Sequence, residues 1–256
     1  MSKTTSSLLD LARPAWLLLL AAAGAWIGVV AVARHMGAMS GTMGLGVGAF
    51  VAIWALMMTA MMAPSVTPFA SLYTRSFSQN RRRRLAALSF GYLLVWTLAG
   101  VPAYGLAWLA DRLLAGHPLG ATALAVAIFA ACGVYQLTPL KERCLSHCRS
   151  PLGFVFKYGS YRGRFRDLRA GLSHGSFCLA CCWGLMALLV AFGLMNLAAM
   201  IVLAAVVLLE KTSPRAAHVS QAVGVVALVF AVLVIAHPGL APGLHLVTTT
   251  PNMGRM

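Results

Sequence analysis

Acidic residues are scarce in this sequence, with 5 Asp and Glu against 20 Lys and Arg in 256 residues. None of them lies in the middle of a long apolar run, so no carboxylate relay for protons across a bilayer is visible. Hard oxygen ligands of the kind that Mg²⁺ and Ca²⁺ prefer are nearly absent as well. The acidic residues are Asp10, Asp111, Glu142, Asp167 and Glu210.

Several catalytic motifs are also missing. The sequence contains no P-loop, no nucleophile elbow and no dinucleotide-binding fingerprint. Their absence argues against ATP-driven pumping by this chain alone. The net charge of +15 is typical of some nucleic-acid-binding proteins, but here the basic residues occupy short segments between apolar runs. That placement is how membrane proteins fix their orientation, and no nucleic-acid partner is predicted.

Apolar residues dominate what is present. Hydrophobic residues make up 60% of the chain, charged residues 10%, and the mean hydropathy is +0.83. A soluble domain of this size cannot bury so many apolar side chains, so we predict an all-α, polytopic membrane helix bundle. Residues 1–256 form a single membrane-embedded domain in this interpretation. The seven predicted spans are 16–33, 45–63, 86–110, 119–139, 174–192, the shorter 196–209, and 217–236.

The basic residues predict the orientation of this bundle. With the N-terminus inside and the C-terminus outside, 17 of the 20 Lys and Arg fall in cytoplasmic segments. The exceptions are Arg34, Arg112 and Arg255. We therefore predict a multi-pass protein of a bacterial inner (cytoplasmic) membrane, with the lipid bilayer as its main partner.

The longest cytoplasmic segment, 141–171, is predicted to be a basic and aromatic loop. Its cations alternate with rings, which is typical of a segment lying on an anionic leaflet. An RNA-binding surface with stacking aromatics is the alternative, and we favour the lipid surface. The rings are Phe154, Phe156, Tyr158, Tyr161 and Phe165.

Soft metal-binding side chains cluster near the cytoplasmic ends of the fourth and fifth predicted spans. The cytoplasm keeps thiols reduced, so metal binding or redox chemistry is favoured over structural disulfides. One group is spaced for one side of a helix, and a second group has the same spacing if its segment is helical. The first contains His174, Cys178, Cys181 and Cys182, and the second contains Cys144, His147 and Cys148.

Packing of small side chains between helices is the alternative for these cysteines. It accounts well for the isolated Cys132 and poorly for the two clusters, so we favour a metal site.

Methionines form a further candidate ligand set at the end of the second predicted span. Met57 and Met61, and likewise Met58 and Met62, are four residues apart and form adjacent thioether columns on a helix. The alternative is that methionine only fills apolar space, as it commonly does. A weaker set in the first outside loop is suited to capturing copper and comprises His35, Met36, Met39 and Met43.

Three strings carry a resemblance to a known family: MMTAMMAPS, YQLTPLKERCLSHCRSPLGF and GLSHGSFCLACCWGLMALLVAFGLMN. They resemble a bacterial family of predicted metal-binding integral membrane proteins, domain of unknown function 2182. The resemblance implies a multi-pass inner-membrane protein that binds metal, and it transfers no established reaction. Ala180 stands where many relatives carry glycine. The motif positions correspond to Met57, Met61, Met62, Pro64, Cys144, Cys148, His174, Cys178, Cys181, Cys182 and Asn196.

Thiolates combined with thioethers predict Cu(I) as the bound metal, with zinc or iron as alternatives. The main hypothesis is a copper-binding membrane protein that stores, delivers or transports the ion. A soluble copper-binding protein or a metalloenzyme under assembly would then be its partner. The alternatives are a membrane-embedded copper or iron oxidoreductase, and a thiol–disulfide protein that uses Cys178 and Cys181 as a CxxC pair. Enzymatic activity therefore stays open, and the sequence indicates no oligomeric state.

Overall fold

The computed structural model describes residues 2–36, 41–77, 79–149, 153, 158, 160–161 and 163–245, with side chains described from Trp16 onward except those of Met36 and Pro118. Within these residues the chain is a bundle of α-helices. They are α1 (Ser2–Met36), α2 (Val47–Arg75), α3 (Arg81–Leu98), α4 (Gly100–Gly116), α5 (Pro118–Gln136), α6 (Pro139–Arg149), α7 (Arg166–Phe192), α8 (Leu197–Thr212) and α9 (Ala216–Ala236), followed by the 3₁₀ turns Pro238–Leu240 and Pro242–Leu244.

Six helical segments are long and apolar enough to cross a membrane. The all-helical prediction is therefore confirmed for the described residues. Helix α8, which corresponds to the predicted span 196–209, has 16 residues and is not one of the six. The seventh span and the orientation of the termini stay predictions. The six segments are Trp16–His35, Val47–Arg75, Arg81–Gly116, Leu119–Gln136, Arg166–Phe192 and Ala216–Ala236.

Helix α2 continues beyond its predicted end at residue 63. It runs through Pro64 and Pro68 to Arg75. Proline removes a backbone donor, but membrane helices tolerate proline. Hydroxyl side chains next to the prolines bond to carbonyls of the preceding turn. The Ser65 hydroxyl donates to the Met62 carbonyl over 2.9 Å, and the Thr67 hydroxyl donates to the Ala63 carbonyl over 2.8 Å. The methionine run therefore lies inside a long helix and not at its end.

The third predicted span, 86–110, is divided between α3 and α4. Helix α3 ends at Leu98, four residues before Pro102, and α4 begins at Gly100. Pro102 explains the division. In the interior of a helix its ring would clash with the carbonyl four residues earlier, whereas proline is tolerated in the first turn, which is where it lies in α4.

The predicted loop 141–171 is partly helical. Its first part belongs to α6, and α7 already begins at Arg166. The condition for Cys144, His147 and Cys148 to share one helix face is thus met, because all three lie in α6. Phe154 and Phe156 lie outside the described residues, while the Tyr158 ring is buried and packs against Phe69 at a centroid distance of 6.0 Å.

Helix α7 crosses the interior and packs closely against α3. A Cβ atom added at Gly171 would lie 2.1 Å from the Leu88 carbonyl oxygen, and one at Gly91 would lie 2.5 Å from the Leu168 carbonyl oxygen. Glycine at these positions lets the two backbones touch, as is common between membrane helices. The α3–α7 pair therefore forms a rigid frame for the side chains that both helices carry.

Candidate metal centre

Three cysteines of α7 form a buried thiol cluster. Cys178, Cys181 and Cys182 are fully buried, and Cys178 lies roughly 18 Å along the helix from its first residue, at 1.5 Å per residue. The Cys181 and Cys182 sulfur atoms are 3.3 Å apart. The Cys181 thiol also donates to the Cys178 carbonyl oxygen over 3.2 Å. The cluster is therefore held inside the protein, well away from the start of the helix.

Helix α6 brings a fourth cysteine to this cluster. The Cys148 sulfur lies 3.8 Å from the Cys181 sulfur, although the two residues are 33 positions apart in sequence. Two sulfur ligands of one metal ion lie roughly 3.5–4.5 Å apart, since each metal–sulfur bond is about 2.3 Å. The sequence placed both cysteine groups at the same end of two predicted spans, and the structure brings Cys148 of one group to Cys181 of the other.

A buried ion pair holds α6 against α7 and α8. Lys141 and Glu210 each expose 1% of their side chains, and their charged groups are 2.7 Å apart. The Lys141 ammonium also donates to the Cys181 carbonyl oxygen over 2.6 Å, and the Gln136 amide donates to Glu210 over 3.0 Å. A single ammonium group thus joins α6 to the thiol-bearing turn of α7.

Glu210 pairs with Lys141 and not with Lys211, its neighbour in sequence. Adjacent helical residues point roughly 100° apart, so Glu210 and Lys211 face different helices.

Burial acts to lower the pKa of Lys141, but Cys182 and Glu210 beside it outweigh that effect and raise the pKa above its usual value. The ammonium of Lys141 is therefore kept charged by its surroundings.

Lys211 contacts the cluster from the other side. Its ammonium group donates to the Cys178 sulfur over 2.9 Å and to the Ser65 hydroxyl over 3.0 Å. The Tyr92 hydroxyl shares a hydrogen bond of 3.0 Å with the same sulfur. Cys178 is thus surrounded by polar hydrogens from α3 and α8 inside an otherwise apolar interior.

The methionine run of α2 lies near the thiol cluster, because Lys211 contacts both Cys178 and Ser65 at the end of that run. All four methionines are buried. Ser65, which shares Lys211 with Cys178, also donates to the carbonyl of Met62. The thioether columns and the thiols therefore belong to neighbouring parts of one interior. The methionines are Met57, Met58, Met61 and Met62.

Within the described part of the chain, no three or more His, Cys, Asp and Glu side chains form a group that could hold a metal ion. The geometry instead brings cysteine sulfurs together in close pairs.

A family model described as PpoB2, copper chaperone, matches residues 51–234. The matched region is well over half of the chain and contains the methionine run and every cysteine. The chain belongs to this copper chaperone family. No match was found among curated proteins or among solved structures. The family therefore associates this chain with copper handling.

Three candidate ligands of this copper chaperone family member have surroundings other than the thiol cluster. The buried His174 ring stacks on Phe69 at a centroid distance of 4.2 Å, and the exposed His147 ring stacks on Phe177 at 4.7 Å. Cys144 is half-buried and lies beside the Tyr135 hydroxyl. Metal ligation by these three residues stays a prediction.

The surroundings of Cys132 and Asn196 indicate structural roles. Cys132 is buried in α5 where that helix meets α7, and a Cβ atom at Gly184 would lie 3.4 Å from its sulfur. Packing therefore describes Cys132, as the sequence predicted. Asn196 begins α8, where its side chain accepts a hydrogen bond of 3.1 Å from the Ala199 amide.

The weak ligand set of the first outside loop is only partly described. His35 is exposed and Met43 is buried. The side chain of Met36 and the whole of Met39 lie outside the described residues.

Sequence reasoning missed the polar residues that surround the thiols. Lys141, Lys211 and Tyr92 contact the cluster or its backbone, and Ser65 accepts a hydrogen bond from Lys211. The available signal was a lysine at the end of an apolar run, which the sequence assigns to the membrane surface. Nothing in the sequence shows which neighbouring helix such a lysine faces.

Proposed function

We propose that this chain is an integral membrane copper chaperone that binds Cu(I) through buried cysteine sulfurs and passes the ion to a partner. The observation that carries the proposal is the 3.8 Å approach of the Cys148 and Cys181 sulfurs, which come from two separate helices. Membership of a copper chaperone family indicates that the bound metal is copper. Six helices of membrane-spanning length support the location.

The donor set favours Cu(I) over zinc. Structural zinc sites are closed and use four ligands drawn from Cys, His and acidic residues. The described residues offer no such group of even three. Thiolates and thioethers select Cu(I), and both types of sulfur lie in this interior.

The charges around the cluster support a site that holds thiolates. A thiolate is the form of cysteine that binds metal, and it needs a positive neighbour in an apolar interior. Lys211 contacts the Cys178 sulfur directly, and Lys141 contacts the Cys181 carbonyl. Two thiolates and one Cu(I) carry a net charge of −1. Lys211 balances it, since the charge of Lys141 is already paired with Glu210.

Delivery follows from the unequal burial of the cysteines. Cys148 is half-buried on the short helix α6, whereas Cys181 is fully buried. We assign Cys148 to the entry and exit side of the site and the methionine run to weaker, exchangeable binding. With seven spans, the N-terminus inside and a bacterial inner membrane as location, this side faces the cytoplasm. A soluble copper-binding protein or a metalloenzyme under assembly is the partner.

The double substitution Cys148→Ser and Cys181→Ser tests the proposal. We expect Cu(I) affinity, measured by competition with a chromophoric chelator, to fall roughly 100-fold or more, since loss of even an outer-shell partner costs about 10–100-fold. The control is Cys132→Ser, which changes an equally buried cysteine of the same helix bundle and should leave affinity unchanged. Wild-type affinity in the double variant would contradict the proposal. A two-proton mass loss on oxidation, without bound copper, would favour the thiol–disulfide alternative.

A further inference from the structure

The first turns of α3 and α7 enclose a basic cavity of about 690 Å³ that is separate from the thiol cluster. We propose that this cavity binds the phosphate group of an anionic phospholipid, with the lipid's acyl chains lying along the exposed ring of Phe90. Three features of the cavity support this assignment: its charge, the order of its polar and apolar residues, and the close packing of its walls. Its arginines are Arg83, Arg84, Arg164 and Arg166.

The charge of the cavity is strongly positive after its one acid is counted. Asp167 already accepts a hydrogen bond of 2.7 Å from the Tyr73 hydroxyl and lies 3.3 Å from Arg84. Arg83 and Arg164 are exposed, and neither makes an ion pair with any described residue. Arginine binds phosphate oxygens through two parallel N–H groups, so these two side chains are suited to an incoming phosphate.

The lining changes from basic to apolar along α3. Arg83, Ala87 and Phe90 follow at helical spacing on one face, and Phe90 lies roughly 10 Å further along the helix than Arg83. The Phe90 side chain is 62% exposed, and Phe165 across the cavity is 65% exposed. A phospholipid presents a phosphate followed by hydrocarbon in the same order and over a similar distance.

The position of the cavity favours a lipid over a soluble acidic molecule. Arg83 and Phe90 both belong to Arg81–Gly116, one of the segments long enough to cross a membrane. A ligand that reaches both residues must therefore lie in the interface between headgroups and hydrocarbon. A soluble acidic protein would contact the arginines and leave the apolar ring unused.

The walls of the cavity are held by backbone contact. Gly91 on α3 approaches the Leu168 carbonyl of α7 so closely that a Cβ atom there would lie 2.5 Å from it. Leu168 itself lines the cavity. The spacing between the two arginine-bearing helix starts is thereby fixed, and a site fixed in advance binds its ligand with a smaller ordering cost.

Native mass spectrometry of the full chain tests the inference. Protein is exchanged into mixed vesicles of phosphatidylglycerol and phosphatidylcholine, extracted, and the retained lipids are counted. We expect wild type to retain phosphatidylglycerol preferentially and Arg83→Gln with Arg164→Gln to lose that preference roughly tenfold. The matched control is Arg82→Gln with Arg143→Gln, which removes the same charge from two exposed arginines that do not line the cavity.

Three results would overturn the inference. Equal losses in the two double variants would show that only the overall surface charge matters. Equal retention of the two lipids by wild type would show that the cavity does not select an anionic headgroup. Displacement of phosphatidylglycerol by inorganic phosphate would assign the site to a small soluble anion.

Two further measurements keep the test independent of folding and of copper. Phe90→Ala leaves every charge in place and should still shorten lipid retention, because it removes the apolar half of the site. Copper affinity should stay at the wild-type level in all of these variants. Failure of the copper proposal and failure of the lipid inference are therefore distinguishable.

Discussion

Two lysines, the buried Lys141 and the half-buried Lys211, contact the same turn of α7, and their partners differ. Lys141 pairs with a carboxylate, that of Glu210, over 2.7 Å and also donates to the Cys181 carbonyl. Lys211 contacts no carboxylate among the described residues and donates instead to the Cys178 sulfur and the Ser65 hydroxyl. The first lysine belongs to a closed ion pair, while the second brings a positive charge to a sulfur.

The difference separates a structural region from a functional one. A buried cation is costly unless an anion lies beside it, and Glu210 meets that need for Lys141. Lys211 contacts a sulfur instead, and its positive charge favours the thiolate form of Cys178, which is the form that binds a soft metal ion. We infer that the Lys141 region holds α6 in position and that the Lys211 region maintains the cysteines in their metal-binding form.

The largest expected effect comes from breaking the ion pair. Glu210→Gln leaves Lys141 buried without a counter-charge and should lower the free energy of unfolding by about 3–5 kcal/mol. The thermal unfolding midpoint of the detergent-solubilised protein measures this loss. Glu142→Gln is the control, because Glu142 is an exposed acid on α6 and its substitution should have little effect. Equal midpoints for the two variants would remove the ion pair from the account.

Removing both charges of the pair should have a much smaller effect than removing one. Lys141→Met combined with Glu210→Leu replaces a buried ion pair by apolar side chains, which is often neutral or stabilising. We expect this double variant to unfold near the wild-type midpoint and to retain copper. A double variant as unstable as Glu210→Gln would show that the hydrogen bond to the Cys181 carbonyl, and not the charge balance, holds α6.

The second region should respond to Lys211→Met through copper binding. Loss of a charge-assisted hydrogen bond to sulfur costs about 1.5–3 kcal/mol, so Cu(I) affinity should fall roughly tenfold or more. Chelator competition measures the affinity, and Lys211→Arg, which keeps the charge, should recover part of it. If Lys211→Met binds copper like wild type, the contact with Cys178 has no role in metal binding.

The two cysteines of α6 offer a finer comparison. Cys148 meets the Cys181 sulfur, whereas Cys144 lies beside the Tyr135 hydroxyl. Cys148→Ser should therefore weaken Cu(I) binding roughly tenfold, at about 1.4 kcal/mol, and Cys144→Ser should weaken it less. A stronger effect of Cys144→Ser in the same chelator titration would make Cys144 the primary ligand of α6.

The smallest expected effect belongs to the methionines. Met57→Leu with Met61→Leu preserves the packed volume and removes two neutral thioethers. Equilibrium copper content should change little, while transfer of Cu(I) to a soluble chelator should slow by a few-fold in stopped-flow measurements. An unchanged transfer rate would assign these methionines to packing alone.

Much of this arrangement could be predicted from local spacing. The helix-face spacing of Cys178, Cys181 and Cys182 indicated a shared buried side, and the loop between two helix ends at one level allowed Cys148 to approach them. Long-range partners could not be predicted in the same way. Glu210 and Lys211 are adjacent in sequence, yet they point to different helices, and only the packing of α8 decides which groups they meet.

Helix ends were predicted poorly for a related reason. Pro64 and Pro68 indicate a break in a water-exposed helix, but α2 continues through both, since helices in membranes tolerate proline. The start of α7 at Arg166 was not predicted either, since its first turns are basic and were assigned to a loop. Apolar composition locates the part of a helix that lies in lipid and not its full length.

X-ray absorption at the copper edge, on full-length protein loaded with one equivalent of Cu(I), tests the shared sulfur site most directly. The account predicts sulfur neighbours at about 2.3 Å and their loss in the Cys148→Ser and Cys181→Ser variant. A first shell made only of nitrogen or oxygen, or a sulfur shell unchanged in that variant, would contradict it.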